Sequence, residues 1–205
     1  MKKIYYFFFL GITAFTLFSF RQVQSVFDNI FEQLGLQAEE ANSYIDANII
    51  DGSASFPTTR IMASLAFNKR EEAVKAIGQY VKDYVQSPAF AGQYKTVRED
   101  QKPQKPEGLY QNQENMMIYR EDLKRWEADY PVSIKALLKQ RLTQFLQQTA
   151  SIDYAARLVP SGRKMVFADP ALEAKDPFWK ACFRSGKRTV DAARAFAQQW
   201  LAELK

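Results

Sequence analysis

From Ile134 onward, Ile134, Leu137, Leu138, Leu142, Phe145 and Leu146 recur at steps of three and four, with Lys135, Lys139, Gln140, Gln144 and Gln147 between them. A backbone that turns once every 3.6 residues gathers the first set into one stripe and leaves the second in water. A strand, with its period of two, would scatter both sets over both faces. The same spacing runs along most of the chain. Phe27, Ile30, Phe31, Leu34, Ala38, Ala41, Ile45 and Ile49 keep it up to Asp51-Gly52, and Ile61, Met62, Leu65 and Ala66 keep it after Pro57. Val74, Ile77, Val81 and Tyr84, then Met117, Ile118, Leu123 and Trp126, then Val190, Ala193, Phe196, Ala197, Trp200 and Leu201 carry the later stripes. The expectation is an all-α single domain of about six helices.

The interruptions are chemically specific. Asn68-x-x-Glu71 is close to a capping box, and Ser87-Pro88 closes the helix that follows it. Residues 92–112 are rich in charge and contain Lys102-Pro103-Gln104-Lys105-Pro106, a composition with little to bury. They are expected to form one long flexible loop, with some helix around Tyr94 to Asp100. Pro131 and Asp176-Pro177 suit first helical turns, and Ser185-Gly186 ends the penultimate helix. Lys164 to Phe167 could run extended, but with no visible partner strand it is expected to be packed loop. No repeat of 20 to 50 residues is present, which argues against a solenoid.

Met1-Lys2-Lys3 precedes 17 charge-free residues, Ile4 to Phe20. That is the layout of an export signal, with Val23-Gln24-Ser25 offering small-residue cleavage after Ser25. The expected division is therefore a signal over 1–25 and a helical domain over 26–205. The run is slightly short of the roughly 20 residues that span a bilayer, so an inner-membrane anchor at residues 4–20 stands as the alternative. An exported product would be periplasmic or extracellular. Removing 1–25 takes away Lys2, Lys3 and Arg21, leaving 25 basic against 23 acidic residues.

Composition excludes several chemistries. Histidine is absent, and Cys182 is the one cysteine. Ser-His-Asp and Cys-His nucleophile systems cannot be assembled, nor can an ordinary zinc site. No internal disulfide is possible, so stability rests on packing. Cys182 itself reads as a small buried apolar residue, with a covalent dimer or a reactive thiol as alternatives.

Lys164-Met165-Val166-Phe167-Ala168-Asp169-Pro170, followed by Trp179-Lys180-Ala181-Cys182-Phe183-Arg184-Ser185-Gly186-Lys187 and an Ala-rich helix closing on Trp200-Leu201, resembles a group of exported bacterial helical proteins. The resemblance covers mainly the last 50 or so residues, and more faintly the Lys75 to Tyr84 helix. It implies a shared fold and no mechanism.

Short motifs yield little. Asp46-x-Asn48-x-x-Asp51-Gly52 lacks calcium-loop spacing, because position twelve is Pro57 rather than a bidentate Glu. Ser161-Gly162-Arg163-Lys164 fits Ser-x-x-Lys, without the later elements that such enzymes need. Glu39-Glu40, Glu71-Glu72 and Glu121-Asp122 are helix neighbours, which diverge rather than converge. Gly186-Lys187 is no phosphate loop, yet a helix start flanked by Arg184, Lys187 and Arg188 can hold an anion. Residues 154–205 carry 10 of the 28 basic and 5 of the 23 acidic residues, so this quarter is basic.

Trp179, Lys180, Arg184, Lys187 and Arg188 are thus the expected contacts for an anion or a partner. No catalytic residue, cofactor or metal ligand is assigned. The expected function is non-enzymatic binding in the cell envelope, to an envelope protein or an anionic surface, with nucleic acid not expected. The alternative is a small-molecule binder, or a histidine-independent enzyme, with carboxylates or basic residues converging in an interhelical cleft.

Overall fold

The computed structural model describes residues 37–52 and 67–205. The signal or anchor at 1–25, the helical stripe from Phe27 to Leu34 and the segment opened by Pro57 lie outside the described residues. Among the described residues the chain is all-α apart from one small hairpin. No helix there is long and apolar enough to cross a membrane.

Five of the described helices begin where a side chain takes up a free backbone N–H group. Helix α1 spans Ala38–Ile49 and α2 spans Phe67–Tyr84. Helix α3, Pro88–Asp100, starts at Ser87, whose hydroxyl accepts from Phe90 N at 3.2 Å, with Pro88 in the first turn. A short 3-10 turn, Gly108–Tyr110, precedes α4, Gln113–Asp129, capped by Asn112. Helix α5, Ile134–Gln148, is capped by Ser133. Asp169 opens the four-residue α6, Pro170–Glu173, and Asp176 opens α7, Pro177–Ser185. Helix α8 is Lys187–Glu203.

Three expectations change. The helix expected around Tyr94 to Asp100 is present but longer, α3 starting at Pro88, because Phe90 and Tyr94, one turn apart, are buried at 0% and 3% exposure. The non-helical stretch is therefore shorter than 92–112. On α4, Met117 and Ile118 face outward, at 56% and 48% exposure. Trp126 anchors that helix, and Met117 lies nine residues before it, half a turn round the axis. Met116, Tyr119 and Leu123 share the inner side instead.

The third change is that Lys164 to Phe167 has a partner. Strands β1, Leu158–Ser161, and β2, Lys164–Phe167, pair antiparallel with Ser161 opposite Lys164. The two-residue loop is Gly162-Arg163, and Gly162 at φ +60° supplies the left-handed first position of a type II′ turn. Both edges are guarded. The Ala168 N–H bonds Arg157 O, so the alternation turns Phe167, Leu158 and Pro160 backbone outward. The Phe167 N–H is taken by Glu173 Oε2 at 2.9 Å, and Pro160 has no N–H to offer.

Helix α8 runs beside α2, α5 and α7. Arg188 meets Glu71, Phe196 lies against Gly78, and Glu203 pairs with Lys82, so α8 and α2 are parallel. Ile45, Ile50, Val85, Phe90, Tyr94, Leu137, Leu138 and Trp200 form the main core. Arg141 closes the end of α1, with Nε on Ile49 O at 2.9 Å and Nη2 on Ile50 O at 3.0 Å. A second cluster joins the hairpin to α7. Phe167 sits 4.7 Å from Phe183 and 5.4 Å from Trp179, ring centre to ring centre, and Tyr154 stacks on Phe183.

Candidate functional site

Four amphipathic stripes converge without closing. Helix α2 brings Val74, Ile77, Gly78 and Val81, and α5 brings Leu142 and Phe145. Helix α7 brings Phe178, Ala181, Cys182 and Ser185, spaced three, four and seven apart, so they share one side. Helix α8 brings Thr189, Val190, Ala193, Phe196, Ala197 and Trp200, and Asn48 reaches in from α1. Between them lies a cavity of about 330 Å³, partly open to solvent. The space persists where the facing residues are small, at Ala181, Ala193 and Ala197, while Gly78 is packed against the Phe196 ring.

No lining residue is charged. The polar groups are Asn48, Cys182, Ser185 and Thr189. Asn48 donates from Nδ2 to Tyr44 O at 2.7 Å, and Ser185 donates from Oγ to Ala181 O at 2.9 Å. Burial pushes the Cys182 thiol up to about 12, with Asp176 adding to the shift. A thiol held protonated is a weak nucleophile. Tyr154, close behind, is likewise pushed up to about 12, by burial and then by Cys182. Its hydroxyl is buried with no hydrogen-bond partner. A lining of this kind can hold an apolar molecule but offers no group to take or give a proton near neutral pH.

The residues expected from sequence lie beside this cavity rather than in it. Trp179 is buried at 5% exposure in the aromatic cluster with Phe167 and Phe183. Lys180 Nζ bonds Glu173 O at 2.9 Å and Oε1 at 3.4 Å. The Phe167 N–H, and then the Lys180 charge, hold the Glu173 carboxyl below its ordinary range. Lys187 pairs with Asp191 at 2.6 Å, and Arg188 pairs with Glu71 at 2.8 Å. Arg184 is exposed and forms no ion pair among the described residues. Arg184, Lys187 and Arg188 do flank the start of α8, while Trp179 and Lys180 belong to the hairpin contact. Part of the basic quarter is thus neutralised within the domain. Arg194 is absorbed too, its Nη1 bonding Leu146 O and Thr149 Oγ1, each at 2.6 Å.

Most cavity residues were visible in sequence only as core stripes. Thr189 was not singled out, although a polar residue directly before Val190 on the buried side of α8 was the available signal. The Asp46 and Asn48 region is a helix end, as its spacing suggests. Asp46 accepts from Tyr84 Oη at 3.1 Å, and burial raises its carboxyl above the ordinary range. Among the described residues, no group of three acidic or cysteine side chains is placed to hold a metal ion. No family model matches the chain, and neither do any curated protein or solved structure.

Proposed function

We propose that this chain is an exported, non-enzymatic binding protein of the cell envelope that takes an apolar molecule into the cavity between α2, α5, α7 and α8. One observation carries the reading: an opening of about 330 Å³ walled by apolar side chains of four helices, within the size range of small-molecule sites. The enzymatic alternative needs carboxylates or basic groups converging in a cleft, and no charged side chain lines this one. Residues 1–25, read as an export signal, and the resemblance of the C-terminal segment to exported helical proteins support the location.

The binding test uses an uncharged fluorophore, 1-N-phenylnaphthylamine, whose emission rises in apolar surroundings. Titration is expected to saturate at one molecule per chain. Ala193→Phe, which places a ring in the cavity, is expected to abolish the signal while keeping the helical circular dichroism. Absence of binding, or equal binding by Ala193→Phe, refutes the cavity reading. Location is tested separately by fractionating the host and sequencing the recovered N-terminus. Recovery of the intact chain from cytosol refutes export.

A further inference from the structure

The cavity has a direction, and its two ends differ. The α8 residues that line it, Thr189, Val190, Ala193, Phe196, Ala197 and Trp200, extend over about 16 Å at roughly 1.5 Å of rise per residue. Spread along that length, the cavity volume of about 330 Å³ has a mean section of about 20 Å². Carbon atoms in contact sit about 4 Å apart, so the slot admits one hydrocarbon chain abreast and not two.

At one end Thr189 is buried to 6% exposure and lines the cavity. Among the described residues its hydroxyl makes no hydrogen bond, whereas the other buried threonine, Thr149, bonds Phe145 O at 2.7 Å. The side chain is held in the wall of the cavity with its hydroxyl free to bond a ligand atom that enters there. The same turn is the start of a 17-residue helix with Gly186 at its cap and no side-chain cap hydrogen bond. The N–H groups of its first turn have no intrahelical acceptor and carry the positive end of the helix dipole. Arg184, Lys187 and Arg188 flank this turn along the chain, with Lys187 paired to Asp191 and Arg188 to Glu71. At the other end Val81, Leu142 and Trp200 are apolar, and the one polar side chain, Asn48, already donates to Tyr44 O.

We infer that the occupant is a single unbranched hydrocarbon chain ending in a carboxylate, a fatty acid, lying along α8 with its head at Thr189 and the α8 N-terminus. The inference rests on the cavity reading proposed above. An extended chain advances roughly 1.3 Å per carbon from bonds of about 1.5 Å, so about 12 carbons fill the slot. The Thr189 hydroxyl donates to one carboxylate oxygen, and the positive helix end favours the charge.

The experiment displaces bound 1-N-phenylnaphthylamine with saturated fatty acids of 8 to 16 carbons and with the matching alcohols, below micelle-forming concentrations. The expected result is a length optimum near 12 carbons, with the acid at least fivefold tighter than the alcohol at pH 7.5. Thr189→Val keeps the shape and removes the hydroxyl. It is expected to erase most of the acid preference, read as the ratio of acid to alcohol affinity within the same variant. Dye binding with acid and alcohol equal, with no length optimum, or with Thr189→Val indistinguishable from the parent overturns the inference and leaves the cavity reading standing. Failure to bind the dye at all overturns the cavity reading itself.

Discussion

Gly78→Ala tests whether the cavity is usable space. A Cβ built at Gly78 falls 2.8 Å from Phe196 Cε1 and 2.9 Å from Cδ1. Contacting carbons prefer about 3.5–4.0 Å, so the Phe196 ring must retreat by roughly 1 Å. In a filled core, overpacking of this kind costs about 1–3 kcal/mol. Alanine in place of glycine returns about 1 kcal/mol of helix propensity. Phe196, however, lines the cavity, and the ring has room to yield. The expected stability change therefore lies within about 1 kcal/mol of zero, which for a chain of this size moves Tm by roughly 2–4 °C at most. The added methyl and the displaced ring both consume slot volume, so dye affinity is expected to fall about tenfold, or about 1.4 kcal/mol. Urea unfolding followed by circular dichroism measures the first quantity and fluorescence titration the second. A stability loss above about 2 kcal/mol shows that the ring cannot move and that the space is not available. Unchanged dye affinity shows that the dye sits elsewhere.

Other outcomes follow from single contacts. Phe90, fully buried beneath Tyr84, is expected to cost about 3–5 kcal/mol as Phe90→Ala, read as a drop in the urea midpoint with the helical spectrum kept at zero denaturant. Burial raises the Asp46 carboxyl in the folded chain above its unfolded value. The fold thus favours the protonated acid, and that stability is full below the unfolded value and is lost as pH rises through the folded one. Asp46→Asn is therefore expected to be more stable than the parent at pH 7, with the difference shrinking toward pH 3. Unfolding midpoints across that range decide it. Cys182, its thiol pushed up to about 12, is expected to react with iodoacetamide at pH 8 roughly 10³-fold more slowly than a free cysteine peptide. A rate near that of the free peptide excludes the buried placement.

The apolar steps of three and four in the sequence determined that the chain is helical, and they placed α5 and α8 nearly residue by residue. That pattern is local, because a helix makes all its hydrogen bonds within itself and shows its buried side in its own spacing. Trp126 and Trp200, read as parts of apolar stripes, are buried at 7% and 5% exposure, and Trp179, expected as a contact, is buried as well, at 5%. Where the local signal is ambiguous, neighbours decided. Met116 and Met117 are equally apolar, and only the depth of Trp126 selects the first. The strand Lys164–Phe167 needed Leu158–Ser161 opposite it, and pairing between strands leaves no trace in the spacing of either one alone. The cavity depends still more on tertiary structure. Ala181, Ala193 and Ala197 are ordinary small residues along the chain, and they leave a void only because the fold sets them opposite the stripes of other helices. Thr189 became distinctive only when the fold set it, nearly buried, in the wall of the cavity.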